Sequence, residues 1–220
     1  MNAASDTQLP TLRELSASPL ARDREEFLRR YASPVLMLPP GAHSGSGKHR
    51  DNKATDRQVA VWVGFKAGTD TPGSPASMKV FVNRAAIHAG NGIVCPIAKR
   101  TVEMPKWISI GRSATSDIVL EADTVSRIQG CFTEGPNGSW SFLDAASTNG
   151  VWHNGERIRP RRVVDLADGD ELLLGPEVPA VFKTPHGLFE ALAVLARHED
   201  NGRGPATESG TPPDRNHLSS

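Results

Sequence analysis

Apolar and polar residues alternate in short runs over residues 58–182, and the runs have the length of β-strands. Three candidates, at 59–65, 78–82 and 93–97, precede residue 106, and which of them join the main sheets is open. The later candidates are 107–110, 118–120, 128–133, 140–144, 151–152, 171–174 and 178–182. Short strands at such regular spacing are typical of an all-β sandwich.

The chain ahead of these strands carries a helical pattern. Ser18 and Pro19 combine a capping residue with a proline at the first helical position, and they predict a helix over about 19–31. The stretch 41–57 is rich in glycine and polar residues and predicts a flexible linker. We therefore expect residues 1–57 to form an N-terminal extension.

A second helix is predicted after the last strand candidate. Thr184 and Pro185 repeat the pattern of a capping residue followed by proline, and leucines at helical spacing extend the helix over 185–198. We expect this apolar stripe to pack on the sheets. The polar stretch 199–220 is rich in Gly, Pro and Ser, so it predicts a disordered tail.

Two turn sequences predict hairpins in the second half of the chain. Asn154 and Gly155 lie between apolar residues, and this pair readily takes the positive φ angles of tight hairpin turns. The sequence Asp-Gly-Asp at 168–170 precedes the strand candidate at 171–174 and predicts a second hairpin.

Length, charge and cysteine content narrow the class of protein. A chain of 220 residues can bury one good core with segments to spare. Its 25 basic and 25 acidic residues cancel, which argues against a nucleic-acid partner. Cys95 and Cys131 lie in apolar runs and predict buried thiols in a reducing compartment. No apolar run has the length of a membrane span and no secretory signal is recognisable, so we expect a cytoplasmic protein with no membrane partner.

Motifs of catalysis and metal binding are missing from the sequence. The GSGK of the linker is not a phosphate loop, because Ala42 and His49 stand where glycine and a serine or threonine are required. No G-x-S-x-G elbow, HExxH pair or paired cysteine ligands occur. We therefore expect no enzyme, no cofactor and no metal site.

Polar motifs recur in the loops between residues 106 and 182. In chain order they are Gly111-Arg112, Ser116-Asp117, Ser126-Arg127, Ser147-Thr148-Asn149-Gly150 and Asn154-Gly155. This order and spacing resemble the forkhead-associated (FHA) domain, a β-sandwich that reads phosphothreonine. Each residue taken alone has an ordinary explanation, as a turn former or a solvated arginine. These explanations do not predict the whole set at this spacing.

The resemblance implies a set of residues that contact a phosphopeptide. Arg112 and Ser126 would hold the phosphate, with Thr148 beside it. Arg127 would contact peptide or phosphate, and Asn149 would hydrogen-bond the peptide backbone. Guanidinium groups match phosphate oxygens in shape and charge, and such charge-assisted hydrogen bonds contribute on the order of 1.5–3 kcal/mol each.

Further residues of the pattern are expected to support these loops. The set is Gly111, Gln129, Gly150, Asn154 and Gly155. Gly111 is expected to permit the turn that projects Arg112, and Asp117 and Asp144 are expected to brace loops. Gln129 stands where the family has a histidine that holds the serine loop through hydrogen bonds. Glutamine both donates and accepts, so it either replaces that histidine or marks a domain that has lost phosphate binding.

These expectations combine into one architecture and one function. We expect an all-β, FHA-type antiparallel β-sandwich over 58–184, with its motif core at 106–182, a short N-terminal helical extension and a C-terminal helix. The implied function is a non-enzymatic adaptor that binds a threonine-phosphorylated protein or a Ser/Thr protein kinase in kinase signalling. The alternative is an FHA-fold scaffold that binds its partner independently of phosphate.

Overall fold

The computed structural model describes residues 9–43, 84–101 and 106–202, with side chains up to residue 198. Two of the predicted leading strands, at 59–65 and 78–82, lie outside the described residues. The same holds for the linker from residue 44 onward and for the tail from residue 203 onward.

The described ranges contain eleven strands, three α-helices and three short helical turns. The strands are β1 (Val35–Leu38), β2 (Ile93–Pro96), β3 (Ile108–Gly111), β4 (Ile118–Val119), β5 (Gly130–Glu134), β6 (Trp140–Asp144), β7 (Val151–His153), β8 (Glu156–Arg157), β9 (Val163–Leu166), β10 (Glu171–Leu174) and β11 (Val178–Lys183). The helices are α1 (Leu12–Ser16), α2 (Arg24–Arg30) and α3 (Pro185–Gly202), and the turns are Pro19–Arg22, Ile87–Asn91 and Pro136–Gly138.

The strands form two sheets that are largely antiparallel. The six-stranded sheet has the order β2-β1-β11-β10-β7-β8, and the five-stranded sheet has the order β4-β3-β5-β6-β9. Every neighbouring pair is antiparallel except β3 and β4, which pair in parallel. The prediction of antiparallel strands is therefore wrong for that one pair. The protein is mostly β with helices at both ends of the described chain.

One hydrophobic cluster joins the two sheets. Its fully buried members include Leu36, Leu172 and Phe182 from the six-stranded sheet and Ile110, Phe132 and Phe142 from the five-stranded sheet. The rings of Phe132 and Phe142 meet edge to face with centroids 4.9 Å apart, a favourable aromatic geometry. This core holds the strand ends from which the polar loops emerge.

A second hydrophobic cluster covers the other face of the six-stranded sheet with helices. Val35 and Met37 of β1 point into it, whereas Leu36 and Leu38 point into the core between the sheets. Strand β1 is therefore buried on both faces and lies between β2 and β11. The sequence analysis placed residues 35–38 in the N-terminal extension, which is wrong, because a short uniformly apolar run carries no periodicity that identifies a central strand.

The predicted helix over 19–31 is divided in two. Residues Pro19–Arg22 form a 3₁₀ turn, and α2 begins after Asp23. The Asp23 carboxylate accepts a hydrogen bond from the Glu26 backbone N–H at 3.0 Å, so Asp23 caps a new helix. Asp side chains compete in this way with helical hydrogen bonds, and that competition ends the first turn.

The C-terminal helix α3 begins where the sequence places it and runs further. The Thr184 hydroxyl accepts a hydrogen bond from the Gly187 N–H at 3.1 Å, as expected of a capping residue. Leu188 and Leu192 are buried in the helical cluster against the six-stranded sheet. Residues 199–202 continue the helix, so the predicted start of the tail at Glu199 is wrong. Polar residues are compatible with an exposed helical turn, and composition alone did not locate the end.

Only one of the two predicted hairpins is a hairpin. Strands β7 and β8 pair across Asn154 and Gly155, whose φ angles are 49° and 86°. The turn at 168–170 instead connects β9 in one sheet to β10 in the other. The Asp170 carboxylate accepts from the Ala167 N–H at 2.9 Å, which closes the turn locally without pairing the strands on either side. A local turn sequence does not determine the sheet that the next strand enters.

Candidate functional site

Three loops meet at one end of the five-stranded sheet and enclose an open cleft of about 620 Å³. They follow β3, β4 and β6. All five residues predicted to contact a phosphopeptide line this cleft, namely Arg112, Ser126, Arg127, Thr148 and Asn149. Residues from separate loops are thus brought to one surface by the pairing of β3 with β4 and β5 and of β5 with β6.

Arg112 emerges from the end of β3 with its side chain exposed. Its backbone N–H donates to the Ser126 carbonyl at 2.9 Å, and its guanidinium Nε donates to the Val125 carbonyl at 3.3 Å. No other hydrogen bond engages the guanidinium within the described residues. One edge of the fork is therefore anchored, while its remaining N–H groups are available to an anion.

Ser126 and Thr148 join the loops that follow β4 and β6. The Ser126 hydroxyl oxygen accepts from the Thr148 backbone N–H at 2.9 Å. The two hydroxyl oxygens are 3.4 Å apart, with Ser126 as donor. Two hydroxyls thus stand side by side at the surface of the cleft, where each can reorient its hydrogen toward a bound acceptor.

Arg127 has an exposed side chain that forms no ion pair within the described ranges. Its backbone carbonyl, in contrast, accepts from the Ser113 N–H at 3.0 Å and from the Ser116 hydroxyl at 3.3 Å. A Cβ atom at Gly111 would lie 2.3 Å from this same carbonyl oxygen. Gly111 is therefore required for close approach of two backbones, and not for the turn that the sequence analysis assigned to it, because its φ angle is not positive.

Asn149 partly has a structural role in the cleft, because its side chain links two of the loops. Its Nδ2 group donates to the Thr124 carbonyl at 2.7 Å, which ties the loop after β6 to the loop after β4. Its Oδ1 atom makes no hydrogen bond with any described residue. The expected contact between Asn149 and a peptide backbone stays a prediction. If it forms, Oδ1 is the atom that can accept a hydrogen bond from the peptide.

Gln129 is completely buried beneath the cleft and bridges two of its loops. Its Oε1 atom accepts from the Ser126 backbone N–H at 2.8 Å, and its Nε2 group donates to the Gly150 carbonyl at 2.8 Å. The donor and acceptor ends of the amide therefore each meet a complementary backbone group. Gly150 has a φ angle of 85°, as required where the chain turns out of its loop. The glutamine thus supports the serine loop, which is the structural role that the sequence analysis considered for it.

Asp117 anchors the base of the loop after β3. Its carboxylate accepts hydrogen bonds from Lys99 Nζ, from the Ser109 N–H and from the backbone of Arg100 and Thr101, each at 2.8 Å. Burial alone would raise the pKa of Asp117, but the hydrogen bonds from Lys99 and the backbone outweigh burial and hold this pKa well below its ordinary range. Asp117 braces the loop, as expected, and Lys99 is a partner that the sequence analysis missed.

Asp144 braces the loop after β6. Its Oδ1 atom accepts from the Ser147 N–H at 3.0 Å, whereas its buried Oδ2 atom has no partner among the described residues. Ala146 in this loop has a φ angle of 63°, which is unusual for a residue other than glycine. The short reach of the carboxylate therefore helps to keep the loop in a tight, strained conformation.

Asn154 and Gly155 do not line the cleft. The Asn154 side chain accepts from the Glu171 N–H at 2.9 Å and donates to Asp170 at 2.8 Å. The hairpin is thereby tied to the start of β10. These two residues support the six-stranded sheet and not the loops of the cleft.

Other residues of the cleft escaped the sequence analysis. They include Ser113, Thr115, Asp123, Thr124, Val125 and Ile128. The hydroxyls of Ser113 and Thr115 lie 2.9 Å apart immediately beyond Arg112, and their nearness in sequence to that arginine was the available signal. Asp123 places one carboxylate on the wall of an otherwise cationic cleft.

Other kinds of site receive no support from the described ranges. No three His, Cys, Asp or Glu side chains within them are grouped in a way that could hold a metal ion. No helix in these same ranges combines the length and apolar character needed to cross a membrane.

A model of the FHA domain family matches residues 108–175. The match begins at β3, ends just beyond β10 and includes all five predicted contact residues. The chain contains an FHA domain. The resemblance inferred from the loop motifs is thus confirmed, and the strands β1, β2 and β11 complete the six-stranded sheet from outside the matched FHA segment.

The FHA domain is similar in sequence to curated vertebrate proteins. The chain is 39% identical over 51 residues to the human E3 ubiquitin-protein ligase RNF8, covering 23% of this chain and 10% of the ligase. It is 37% identical over 72 residues to RNF8 of Mus musculus, covering 31% and 15% respectively. The chain therefore spans only 10–15% of the length of these two relatives.

Solved structures superpose on part of the chain. EmbR of Mycobacterium tuberculosis, solved with a low-affinity phosphopeptide, is 32% identical and has a TM-score of 0.33, covering 36% of this chain and 20% of EmbR. The FHA domain of an Arabidopsis thaliana protein is 22% identical with a TM-score of 0.36, covering 43% of this chain and 75% of that one. Both TM-scores are low, so the family assignment depends on the match to the family model.

Proposed function

We propose that the cleft of the FHA domain binds a peptide containing phosphothreonine and that the protein is a non-enzymatic adaptor. The observation that carries the proposal is the convergence of Arg112, Ser126 and Thr148 from three loops on one exposed surface. A phosphothreonine carries a charge of about −1.5 to −2 and three strong acceptor oxygens. A guanidinium edge and two adjacent hydroxyls offer the complementary charge and donors.

The rigidity of the loops supports the proposal. Gln129 links the Ser126 and Gly150 backbones, and the Ser126 hydroxyl holds the Thr148 N–H. Donors that are already fixed lose little conformational entropy when a ligand binds. A short peptide that gains three or four charge-assisted hydrogen bonds of this kind reaches roughly micromolar affinity.

The remaining groups of the cleft are assigned to the peptide around the phosphate. Arg127 adds a second guanidinium, and the free Oδ1 atom of Asn149 accepts from a peptide N–H. Ile128 is partly exposed in the same cleft and provides apolar surface for the methyl group that distinguishes threonine from serine. Selection of phosphothreonine over phosphoserine follows from that contact.

We also propose how the two sheets are arranged and in which cellular setting the protein acts. The two sheets form the FHA-type β-sandwich, and the partner is a threonine-phosphorylated protein or a Ser/Thr protein kinase in a signalling pathway of the cytoplasm. The proposed compartment is reducing, and Cys95 and Cys131, both free and buried, are compatible with it.

The alternative, a scaffold that binds without phosphate, has lost one of its two supports. Gln129 in place of histidine suggested a drifted site, yet its two hydrogen bonds hold the serine loop. The other support, the extra strand candidates between residues 58 and 97, is described only at 93–97, which forms β2 at the edge of the six-stranded sheet. The candidates at 59–65 and 78–82 lie outside the described residues. We therefore retain phosphate-independent binding only as an outcome of the test.

The test is binding to a degenerate phosphothreonine peptide library, with phosphoserine and unphosphorylated libraries alongside. Arg112→Ala is expected to weaken phosphopeptide binding at least tenfold, since it removes charge-assisted donors. Arg22→Ala serves as the matched control. It removes an exposed arginine of the 3₁₀ turn Pro19–Arg22, which does not line the cleft. Equal binding of the unphosphorylated library, or indifference to Arg112→Ala, would contradict the proposal.

A further inference from the structure

A cluster of arginines begins in β8 and continues into the turn that follows it, and none of its members lines the cleft described above. It consists of Arg157, Arg159, Arg161 and Arg162, all exposed, which we call the arginine turn. None of the four forms an ion pair with a carboxylate of the described residues. The surrounding segment 156–165 contains these four arginines, one Glu and one Asp, which leaves two positive charges in excess.

The backbone of the arginine turn is fixed in an unusual conformation. The Arg162 N–H donates to the Arg159 carbonyl at 3.0 Å and closes a four-residue turn with Pro160 in its second position. Arg161 occupies the third position with a φ angle of 62°. Turns of this type strongly favour glycine or asparagine there, because a side chain with Cβ is strained at positive φ. The chain thus carries a cationic side chain at a position where glycine would cost less.

The arginine turn lies directly behind the loop that follows β6. A Cβ atom at Gly150 would come within 2.8 Å of Arg157 Nε, so this guanidinium packs against the end of the loop. The Arg161 N–H donates to the Asp144 carbonyl at 2.9 Å, at the beginning of the same loop. The other flank of the loop lines the cleft through Thr148 and Asn149.

The neighbouring carboxylates do not neutralise the arginine turn. Asp144 is buried and bonded to the Ser147 N–H, and Asp165 accepts from the Ser141 hydroxyl. Glu156 on the hairpin is exposed and forms no ion pair with the described residues. The positive charge of the turn therefore faces solvent next to the loop after β6, whose other flank carries Thr148 and Asn149 in the cleft.

We propose that the arginine turn is a second anion-contacting surface, which selects phosphopeptides that carry additional negative charge a few residues from the phosphothreonine. This inference rests on the proposed function of the cleft. An extended peptide advances about 3.3–3.6 Å per residue, so a chain that crosses the loop after β6 reaches the turn within a few residues. The added charge is a carboxylate or a second phosphate, and both match a guanidinium fork.

The experiment compares one phosphothreonine peptide, chosen from the library, in four versions. The first has neutral flanks, the second has Glu residues on both flanks, and the third has a second phosphothreonine at the same positions. The fourth has the Glu flanks but no phosphate. Fluorescence anisotropy at low and at high salt measures each Kd.

The protein variants distinguish the effect of the arginine turn on binding from the effect of the cleft and from the effect of net charge. Arg159→Gln with Arg162→Gln removes two charges from the turn, and Arg22→Gln with Arg30→Gln removes two exposed charges elsewhere. We expect the wild type to prefer the charged peptides over the neutral phosphopeptide by about three- to tenfold. The turn variant should reduce that preference to less than about twofold, the control variant should keep it, and high salt should reduce it in the wild type.

Each outcome distinguishes the inference from the function on which it rests. If Arg112→Ala abolishes binding but the charged and neutral phosphopeptides bind the wild type equally, the cleft function stands and the inference fails. If unphosphorylated Glu-flanked peptide binds through the turn and Arg112→Ala changes nothing, the cleft function fails. Equal losses in the turn and control variants overturn the inference. The inference is also overturned if a single-stranded oligonucleotide displaces every peptide from the wild type and the turn variant abolishes that displacement.

Discussion

The cleft and the helical layer bury opposite kinds of side chain. Among the described residues, the buried polar side chains are Ser109, Ser116, Asp117, Gln129 and Asp144, and all of them hydrogen-bond to the loops of the cleft or to each other. None of these five belongs to the helical cluster on the far face of the six-stranded sheet, whose fully buried members are all apolar. Geometry at the cleft therefore depends on a few directional bonds, whereas attachment of the helices depends on apolar area.

The largest expected effect belongs to the helical layer. Phe27 is completely buried, stacks on Tyr31 with ring centroids 4.8 Å apart and meets Phe189 at 5.3 Å. Phe27→Ala is expected to lower the free energy of unfolding by about 3–5 kcal/mol, since it leaves a cavity. Urea unfolding measures the loss. Phosphopeptide affinity of the protein that remains folded should be unchanged, and a loss of affinity would break the separation between the two regions.

Gln129 provides the matching test at the cleft. Gln129→Ala leaves the partly buried Ser126 N–H and the buried Gly150 carbonyl without their side-chain partner, which should cost about 2–4 kcal/mol of unfolding free energy. Phosphopeptide binding should weaken at least tenfold as well, because the loop of Ser126 loses its support. Thermal unfolding and fluorescence anisotropy give the two numbers.

Gln129→His is the control for that prediction. Histidine is the residue that the FHA family has at this position, and it also carries a donor and an acceptor. We expect it to recover most of the binding lost in Gln129→Ala. If Gln129→Ala binds as well as the wild type, the buried amide does not determine the geometry of the cleft.

Acid should destabilise the cleft through Asp117. Because its folded-state pKa lies below the ordinary value of 3.8, ionised Asp117 stabilises the fold above that value, and the contribution is lost as pH falls toward the folded-state pKa. Asp117→Asn should therefore be less stable than the wild type at neutral pH. Urea midpoints measured from neutral pH down to about pH 3 should show this gap narrowing. A gap that is constant with pH would show that charge on Asp117 contributes nothing.

The smallest expected effect is a gain. Arg161→Gly relieves the strain of a positive φ angle and should raise the free energy of unfolding by about 1 kcal/mol, or Tm by about 2–4 °C. Differential scanning calorimetry detects a change of this size. If stability falls instead, the conformation of Arg161 is not strained. The positive φ angle would then no longer support a binding role for the Arg161 side chain.

Short-range patterns in the sequence predicted much of this molecule. Strands and loop motifs repeat at local spacing, and the five cleft residues follow from the resemblance of those motifs to the FHA domain. The hairpin at Asn154 and Gly155 follows from local backbone preference alone. Each of these features depends on a few consecutive residues.

Features that depend on distant partners were not predicted. The apolar run at 35–38 gives no sign that its neighbours in the sheet are β2 and β11. Lys99 bonds to Asp117 across a loop, and the turn at 168–170 leads into the opposite sheet because of strand pairing elsewhere. Asp23 is an intermediate case, since aspartate is a common capping residue but the helical pattern on both sides of it predicts one continuous helix.

The place of β1 in the sheet also determines when the domain can form. Val35 pairs in register with Lys183, so a strand translated early stays without one of its partners until most of the described chain has been synthesised. Pairings between such distant residues close slowly and leave apolar strands exposed meanwhile. On the ribosome, β3 to β10 can therefore emerge and begin to pair first, and completion of the six-stranded sheet must wait for β11.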